Sequence, residues 1–345
     1  MAEMMKAAVF EKPRTIVIRD VPVPEIGDNE VLIKVKYTGI CGTDWSIYTG
    51  KYSADKLPMI PGHEFSGIIT QTGRNAQGLK EGDAVTCDIN MSCGNCFYCK
   101  KGLTLNCPDF TQLGIHTDGT YAEYVKVPWN LVHKLPKGMD FKLGAFVEPT
   151  SCIIHSMKAM DLKAGSSIAI LGSGLGSLHG AVAKIRGAAP IIVIGRNKKR
   201  LETAKKMGAD ITISLEDKVD PVSEVKKLTE GRGADYVVES VGTPGTYEQA
   251  FAMVRPGGTL SAFGITGADD TIALKPYDLV LGERKIVSSC AGFGEDWTDA
   301  ITLLFNKRID PAPMFSKTVQ LKDLEAAILE LQENRELMKV FVSSE

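Results

Sequence analysis

Cys41 and the run Gly62-His63-Glu64 place a thiol, an imidazole and a carboxylate close together in a 345-residue chain. Sulfur, ring nitrogen and carboxylate oxygen are the donor types of a catalytic zinc, which keeps one position for water or substrate. Such an ion acts as a Lewis acid. Taken singly, Cys41 reads as well as a small buried hydrophobe, and His63 as a hydrogen-bonded core histidine. Glu148 stands alone in the apolar run 145–157, just ahead of Pro149. A carboxylate there is costly unless it is paired or bound to metal, although the first turn of a helix would also suit it. With Cys41, His63 and Glu64 in the same chain, the metal-ligand reading is preferred.

The sharpest local signal is the loop 93–107, where Cys93, Cys96, Cys99 and Cys107 follow one another as C-x2-C-x2-C-x7-C. Four thiolates fill a tetrahedral shell, so a zinc held there is structural. Disulfides or free thiols are the alternatives. Eight cysteines in a long chain without a secretory signal favour reduced thiols and a cytoplasmic location. A nucleic-acid-binding finger would want a basic helix after Cys107, and none follows. The net charge of −2 argues against both nucleic acid and anionic membrane surfaces as partners. No apolar run approaches the ~18 residues of a membrane helix, and the first residues lack the apolar core of a signal peptide.

A third site type begins at Ser167. An apolar strand (167–171) runs into Gly172-Ser173-Gly174-Leu175-Gly176-Ser177, then a helical stretch (178–186), then a second apolar strand (191–194). In that context a glycine-rich turn predicts dinucleotide binding, with the pyrophosphate on the helix N-terminus. Gly172, Gly174, Leu175 and Gly176 are the expected backbone contacts. The third fingerprint position is Ser177, small enough to keep the helix close to the strand. An NAD site places an acid at the end of the second strand. Here Gly195 stands in its place, followed by Arg196 and, after two lysines, Arg200. Guanidinium groups grip a 2′-phosphate that a carboxylate would repel, so NADP is expected over NAD. Gly264 and Ile265 mark a later turn where the cofactor can lie against backbone.

The elements around these residues read as two textures. Short strands broken by Gly and Pro occupy the first half: 5–10, 15–19, 30–37, 64–72 and 83–87, with 30–37 alternating as a half-solvated strand. They predict an irregular β-barrel. A short helix is expected over 44–48, capped by Thr43 or Asp44. Strands and helices alternate from 167 to 289, which predicts an α/β, doubly wound parallel sheet. A 44% hydrophobic, 24% charged composition is ordinary for a folded two-domain chain.

Together, Gly39-Ile40-Cys41-Gly42-Thr43-Asp44, Gly62-His63-Glu64, the four-cysteine loop, Glu148-Pro149 and the Gly172 turn resemble the zinc-containing medium-chain alcohol and polyol dehydrogenases over almost the whole length. Glutamate rather than cysteine at 148 is similar to the sorbitol and threonine dehydrogenase branch. The resemblance implies a GroES-like catalytic domain (1–153 and 297–345) and a Rossmann domain (154–296), with the active site in the cleft. It implies a catalytic zinc on Cys41, His63 and Glu148, with Glu64 an intermittent or water-bridged ligand. Asp44 would orient the histidine, and Thr43 would accept the substrate's proton. Ser46 replaces the relay histidine that many members carry, which leaves the proton's route to water or the cofactor ribose. The implied reaction is hydride transfer between a secondary alcohol and NADP, with NAD the alternative. Polar residues near Cys41 point to a polyol, sugar or sugar phosphate, and the family's habit to a homo-oligomer, dimer or tetramer. Two other readings stay open: a zinc-free quinone or enone reductase of the same superfamily, and a non-catalytic scaffold.

Overall fold

A computed structural model describes residues 3–344 and divides them into two compact units. The first comprises the chain up to Ser151, Phe293–Phe305, and the segment from Phe315 onward; the second comprises Cys152–Gly292 and Asn306–Met314. Residues 306–314 thus pack with the second unit, not with the tail that the expected division at 296/297 assigned to the first. No helix among the described residues is long and apolar enough to cross a membrane.

The first unit opens with β1 (Met4–Lys12) and β2 (Thr15–Pro22), an antiparallel pair turning at Arg14, whose φ is 62°. The chain continues through β3 (Glu30–Gly39), the helix α1 (Gly42–Tyr48), β4 (Glu64–Thr72), β5 (Ala84–Cys87), β6 (Tyr124–Pro128) and β7 (Val132–Lys134). The long helix α2 (Val147–Ala159) follows. β3 is not the half-solvated strand its alternation predicts. It lies between other strands, and Val31, Leu32 and Ile33 are all buried. A central strand buried on both faces reads as an apolar run with few interruptions. α1 starts earlier than expected. Cys41, rather than Thr43 or Asp44, caps it, and the Asp44 carboxylate reaches back to accept from the Cys41 N–H at 2.8 Å. That contact is the returning half of a capping box.

The second unit contains β8 (Ile168–Leu171), α3 (Leu175–Ile185), β9 (Ile191–Gly195), α4 (Lys198–Met207), β10 (Ile211–Ser214), β11 (Ala234–Glu239), α5 (Pro244–Met253), β12 (Val254–Ala262) and β13 (Lys285–Ser288). The six strands are parallel in the order β10-β9-β8-β11-β12-β13. That order is the Rossmann arrangement, with the reversal of winding between β8 and β11. β8 and β9 are buried along their whole length, as strands covered on both faces must be. α3 begins at Leu175, three residues before the expected start, so the glycine turn feeds the helix directly.

Two final strands return to the first sheet: β14 (Phe315–Gln320) and β15 (Lys339–Ser343). The sheet reads β14-β15-β3-β4-β5-β7, with β6 also paired to β3. β15 runs antiparallel to β3, with Phe341 opposite Gly39; β4 flanks β3 on its other side, with Glu64 opposite Gly39. Three strands therefore bring Lys339, Gly39 and Glu64 side by side.

Candidate metal centre and cofactor turn

The start of α1 carries Cys41, and the start of β4 carries His63 and Glu64. One donor atom from each of these three residues lies within 4.8 Å of the others. His63 and Glu64 are buried, and Cys41 is half-buried. Glu148, in the first turn of α2, is buried but stands outside this group. Glu64 stands with the thiol and the imidazole, and the charge of Glu148 also reaches His63.

The surroundings select one tautomer of His63. Its Nδ1 has no hydrogen-bond partner and faces Asp44 Oδ1, also unpartnered, at 3.7 Å. Asp44 Oδ2 meanwhile accepts from the Tyr121 hydroxyl at 2.7 Å and from the Cys41 N–H. A buried carboxylate fixed behind Nδ1 leaves Nε2 as the donor toward a metal. Burial pushes Asp44 above the usual carboxylate range. Burial also opposes charge on His63, but Cys41, Asp44 and Glu148 outweigh it and raise the ring to about 10. A thiol and carboxylates gathered around an imidazole fit a divalent cation. Zinc suits a sulfur, nitrogen and oxygen donor set.

Thr43 places Oγ1 3.7 Å from the Cys41 sulfur. The Ser46 hydroxyl faces the Gly42 carbonyl of its own helix at 3.4 Å. Tyr48 serves packing: its ring meets Phe10 edge-on and its hydroxyl donates to Glu325 at 2.9 Å. Tyr52 is exposed and lies against His116.

The four cysteines of the 93–107 loop converge, each offering a sulfur within 4.8 Å of the rest. None of the described cysteines is in a disulfide. Backbone N–H groups point at the sulfurs: Cys96 N to Cys93 Sγ at 3.3 Å, Cys99 N to Cys96 Sγ at 3.4 Å and Cys93 N to Cys107 Sγ at 3.4 Å. Donors from Asn95 and Cys96 help draw the Cys93 thiol down to about 7. Amides aimed at sulfur favour thiolate, the form that binds metal.

In the second unit the glycine turn sits at the reversal of the sheet. Gly172 has φ 117°, and a Cβ there would lie 3.0 Å from the Ser240 carbonyl. Gly176 packs close against the strand, since a Cβ on it would meet Ile170 at 2.9 Å. Ser177 is buried with its hydroxyl on the Ser173 carbonyl at 3.0 Å. Gly195 closes β9 with Ser173 against it, and a Cβ at 195 would fall 2.6 Å from the Ser173 Cβ. An acid at 195 would need the backbone to move. Arg196 is exposed. Arg200 is half-buried on α4, its Nη1 3.8 Å from where a Cβ on Gly174 would stand.

The comparisons with known proteins agree over nearly the whole chain. Residues 27–137 match the alcohol dehydrogenase GroES-like domain family, and residues 174–306 match the zinc-binding dehydrogenase family. An L-threonine 3-dehydrogenase of Bacillus velezensis is 37% identical over 94% of this chain and 95% of its own. The chain belongs to the zinc-containing medium-chain dehydrogenases. A sorbitol dehydrogenase of Bacillus subtilis is 35% identical, with 98% and 97% covered. A zinc-binding dehydrogenase from Sinorhizobium meliloti 1021, solved with NADP bound, superposes with a TM-score of 0.93 at 31% identity, covering 99% of both chains. Membership makes the protein an oxidoreductase of the alcohol and polyol class, acting on CH–OH donors.

Two residue groups escaped the sequence reading. Lys339 is buried, ion-paired to Glu64 Oε2, and donates to the Ile40 carbonyl at 3.1 Å. The only signal was a lysine heading an apolar strand. Glu239 is buried at the end of β11, where its carboxylate accepts from Val241 N at 2.9 Å and from Gly242 N at 3.0 Å. A Cβ on Gly264 would collide with this carboxylate and with Gly242, and the Tyr247 hydroxyl donates to the Gly264 carbonyl at 2.5 Å. The turns after β11 and β12 are thereby locked together beside the exposed Ile265.

Proposed function

We propose that this protein is a zinc-dependent dehydrogenase that interconverts a secondary alcohol, of the polyol, sugar or sugar-phosphate kind, and its ketone with NADP(H). The observation that carries the reading is the convergence of Cys41, His63 and Glu64 donor atoms within 4.8 Å, with Asp44 fixed behind His63. Cys41 and His63 would hold a catalytic zinc, with Glu64 and Glu148 as the carboxylates that could complete its shell. Cys93, Cys96, Cys99 and Cys107 would hold a structural one. When bound, the zinc supplies Lewis acidity toward an alcohol oxygen and the nicotinamide supplies the hydride acceptor.

The chain's own residues do the rest. Thr43 Oγ1, beside the Cys41 sulfur, takes the substrate's hydroxyl proton. Ser46 faces a helix carbonyl, so onward transfer runs through water or the cofactor ribose instead of this side chain. Gly172, Gly174, Leu175 and Gly176 cradle the pyrophosphate at the start of α3. Gly264 and Ile265, braced by Glu239 and Tyr247, lie along the nicotinamide half. The Gly195-Ser173 contact that excludes an acid supports NADP, as do Arg196 and Arg200. Sorbitol and threonine dehydrogenases among the relatives support a polar secondary alcohol. A homo-oligomer is supported by the unpaired edge strand β13 and by large apolar side chains exposed near it: Tyr277, Val280, Leu281 and Ile286.

A screen of alcohols and polyols, followed by absorbance of reduced cofactor and paired with metal analysis, tests the reading. The expected outcome is oxidation of one polyol group by a protein with two zinc ions per chain. Folded, metal-free protein reducing quinones or enones would shift the assignment to the zinc-free branch.

A further inference from the structure

Glu64 has two claimants. One is the cluster with Cys41 and His63. The other is Lys339, whose ammonium pairs with Glu64 Oε2 in a place almost without water: Glu64 is 2% exposed and Lys339 is 4%. The lysine also donates to the Ile40 carbonyl and stands over the Phe146 ring at 5.9 Å. A notch completes the arrangement. Gly39 lies opposite Glu64 across the β3–β4 ladder. A Cβ there would overlap Glu64 Oε2, and the next nearest atoms are also Glu64's, its Cβ at 3.3 Å and Cδ at 3.4 Å. The φ of Gly39 is not among the positive ones, so glycine is required here by space and not by backbone. The missing methyl is where the carboxylate rests.

We propose that Gly39 and Lys339 are positioning residues that park the Glu64 carboxylate against the lysine, so that the metal centre keeps a position for substrate. The inference rests on the metal-dependent function proposed above and adds what decides whether Glu64 ligates at rest. Three adjacent strands supply the device. β15 brings the cation, β3 the notch and β4 the carboxylate, so the device is built into the sheet. A buried carboxylate deprived of its ammonium would turn to the strongest remaining positive charge, which in the loaded protein is the metal.

The direct test is Gly39→Ala, which fills the notch and meets first the Glu64 side chain, its carboxylate oxygen above all. Two readouts apply besides turnover: the visible spectrum of the cobalt-substituted protein and the rate of zinc release to a chelator. The expected result is a changed cobalt spectrum and release slowed on the order of ten-fold, the low end of what changes around metal ligands produce. Glu64→Gln in the same chain should abolish both effects. Lys339→Met, which removes the competing cation and keeps the buried stem, should act in the same direction and serves if Gly39→Ala does not fold. Unchanged or faster release, an unchanged cobalt spectrum, or effects that persist with Glu64→Gln would each overturn the proposal. A wild-type protein that holds one zinc per chain, all of it lost in Cys93→Ser, would instead refute the metal-centre reading beneath it.

Discussion

The two arginines beside the glycine turn should contribute unequally to cofactor choice. Arg200 is half-buried, its α4 anchored where the Asn197 side chain accepts the Arg200 N–H at 2.9 Å, and its guanidinium lies beside Gly174. Arg196 is exposed. A hydrogen bond to a charged group is worth about 1.5–3 kcal/mol. An exposed ion pair is worth about 0.2–1 kcal/mol. Arg200→Met should therefore lower kcat/KM for NADP roughly 10- to 150-fold, and Arg196→Met by about five-fold or less. Neither should change kcat/KM for NAD by more than about two-fold, since NAD has no 2′-phosphate for them to grip. The assay is initial-rate kinetics with both cofactors at one saturating alcohol, repeated at low and high salt. The Arg196 effect should fade with salt and most of the Arg200 effect should survive, because a partly buried pair is screened less. Equal losses with both cofactors would mean that Arg200 stabilises the turn and does not read the phosphate. A wild-type preference for NAD would refute the whole argument from Gly195.

Cys93→Ser should lower the thermal midpoint and raise sensitivity to chelators while leaving residual turnover, whereas Cys41→Ser should abolish turnover with little change in midpoint; calorimetry and a rate assay on the same samples separate the two. Lys339→Met strands the buried Glu64 carboxylate and should destabilise the metal-free protein by about 3–5 kcal/mol, as a broken buried pair does. Denaturant unfolding should find that loss smaller once zinc is added, because the metal replaces the lost cation. His179, fully buried with Nδ1 on the Leu175 carbonyl and its ring against Phe263, is held by burial at about 4, below its ordinary 6.5. A depressed histidine favours the folded state above pH 6.5, and that stability is lost as pH falls from 6.5 through 4, by about 3 kcal/mol in all. His179→Asn should flatten the acid limb of a stability–pH curve over that window, and an unchanged limb would remove His179 from the account.

The parts legible in the sequence were those whose chemistry is local. Four cysteines at fixed spacing, a glycine turn between an apolar strand and a helix, and the Cys41 and His63 segments each announce themselves within about fifteen residues. The β4 limits, Glu64–Thr72, follow from Gly-bounded apolar residues. What pairing decides was not legible. β3 looks half-solvated by its own alternation, and only its neighbours on both edges bury Val31, Leu32 and Ile33. Glu64 and Glu148 cannot be ranked as ligands from spacing, because their distances to Cys41 depend on where β4 and α2 begin in space. Lys339 is separated from Glu64 by 275 residues, and no periodicity connects them. Gly39 passes as one more turn residue until the strand opposite it is known.

The place of β15 has a consequence for biosynthesis. This strand is stitched beside β3 near the middle of the first sheet, yet it is made some three hundred residues later. A ribosome must finish the entire nucleotide-binding unit before the Tyr37–Gly39 end of β3, which β6 leaves uncovered, is paired and before the acid at position 64 receives its ammonium partner. Until then the nascent amino-terminal half carries an open sheet edge that solvent or a chaperone must shield. The Rossmann unit, whose six strands are consecutive in the chain, is free to fold first.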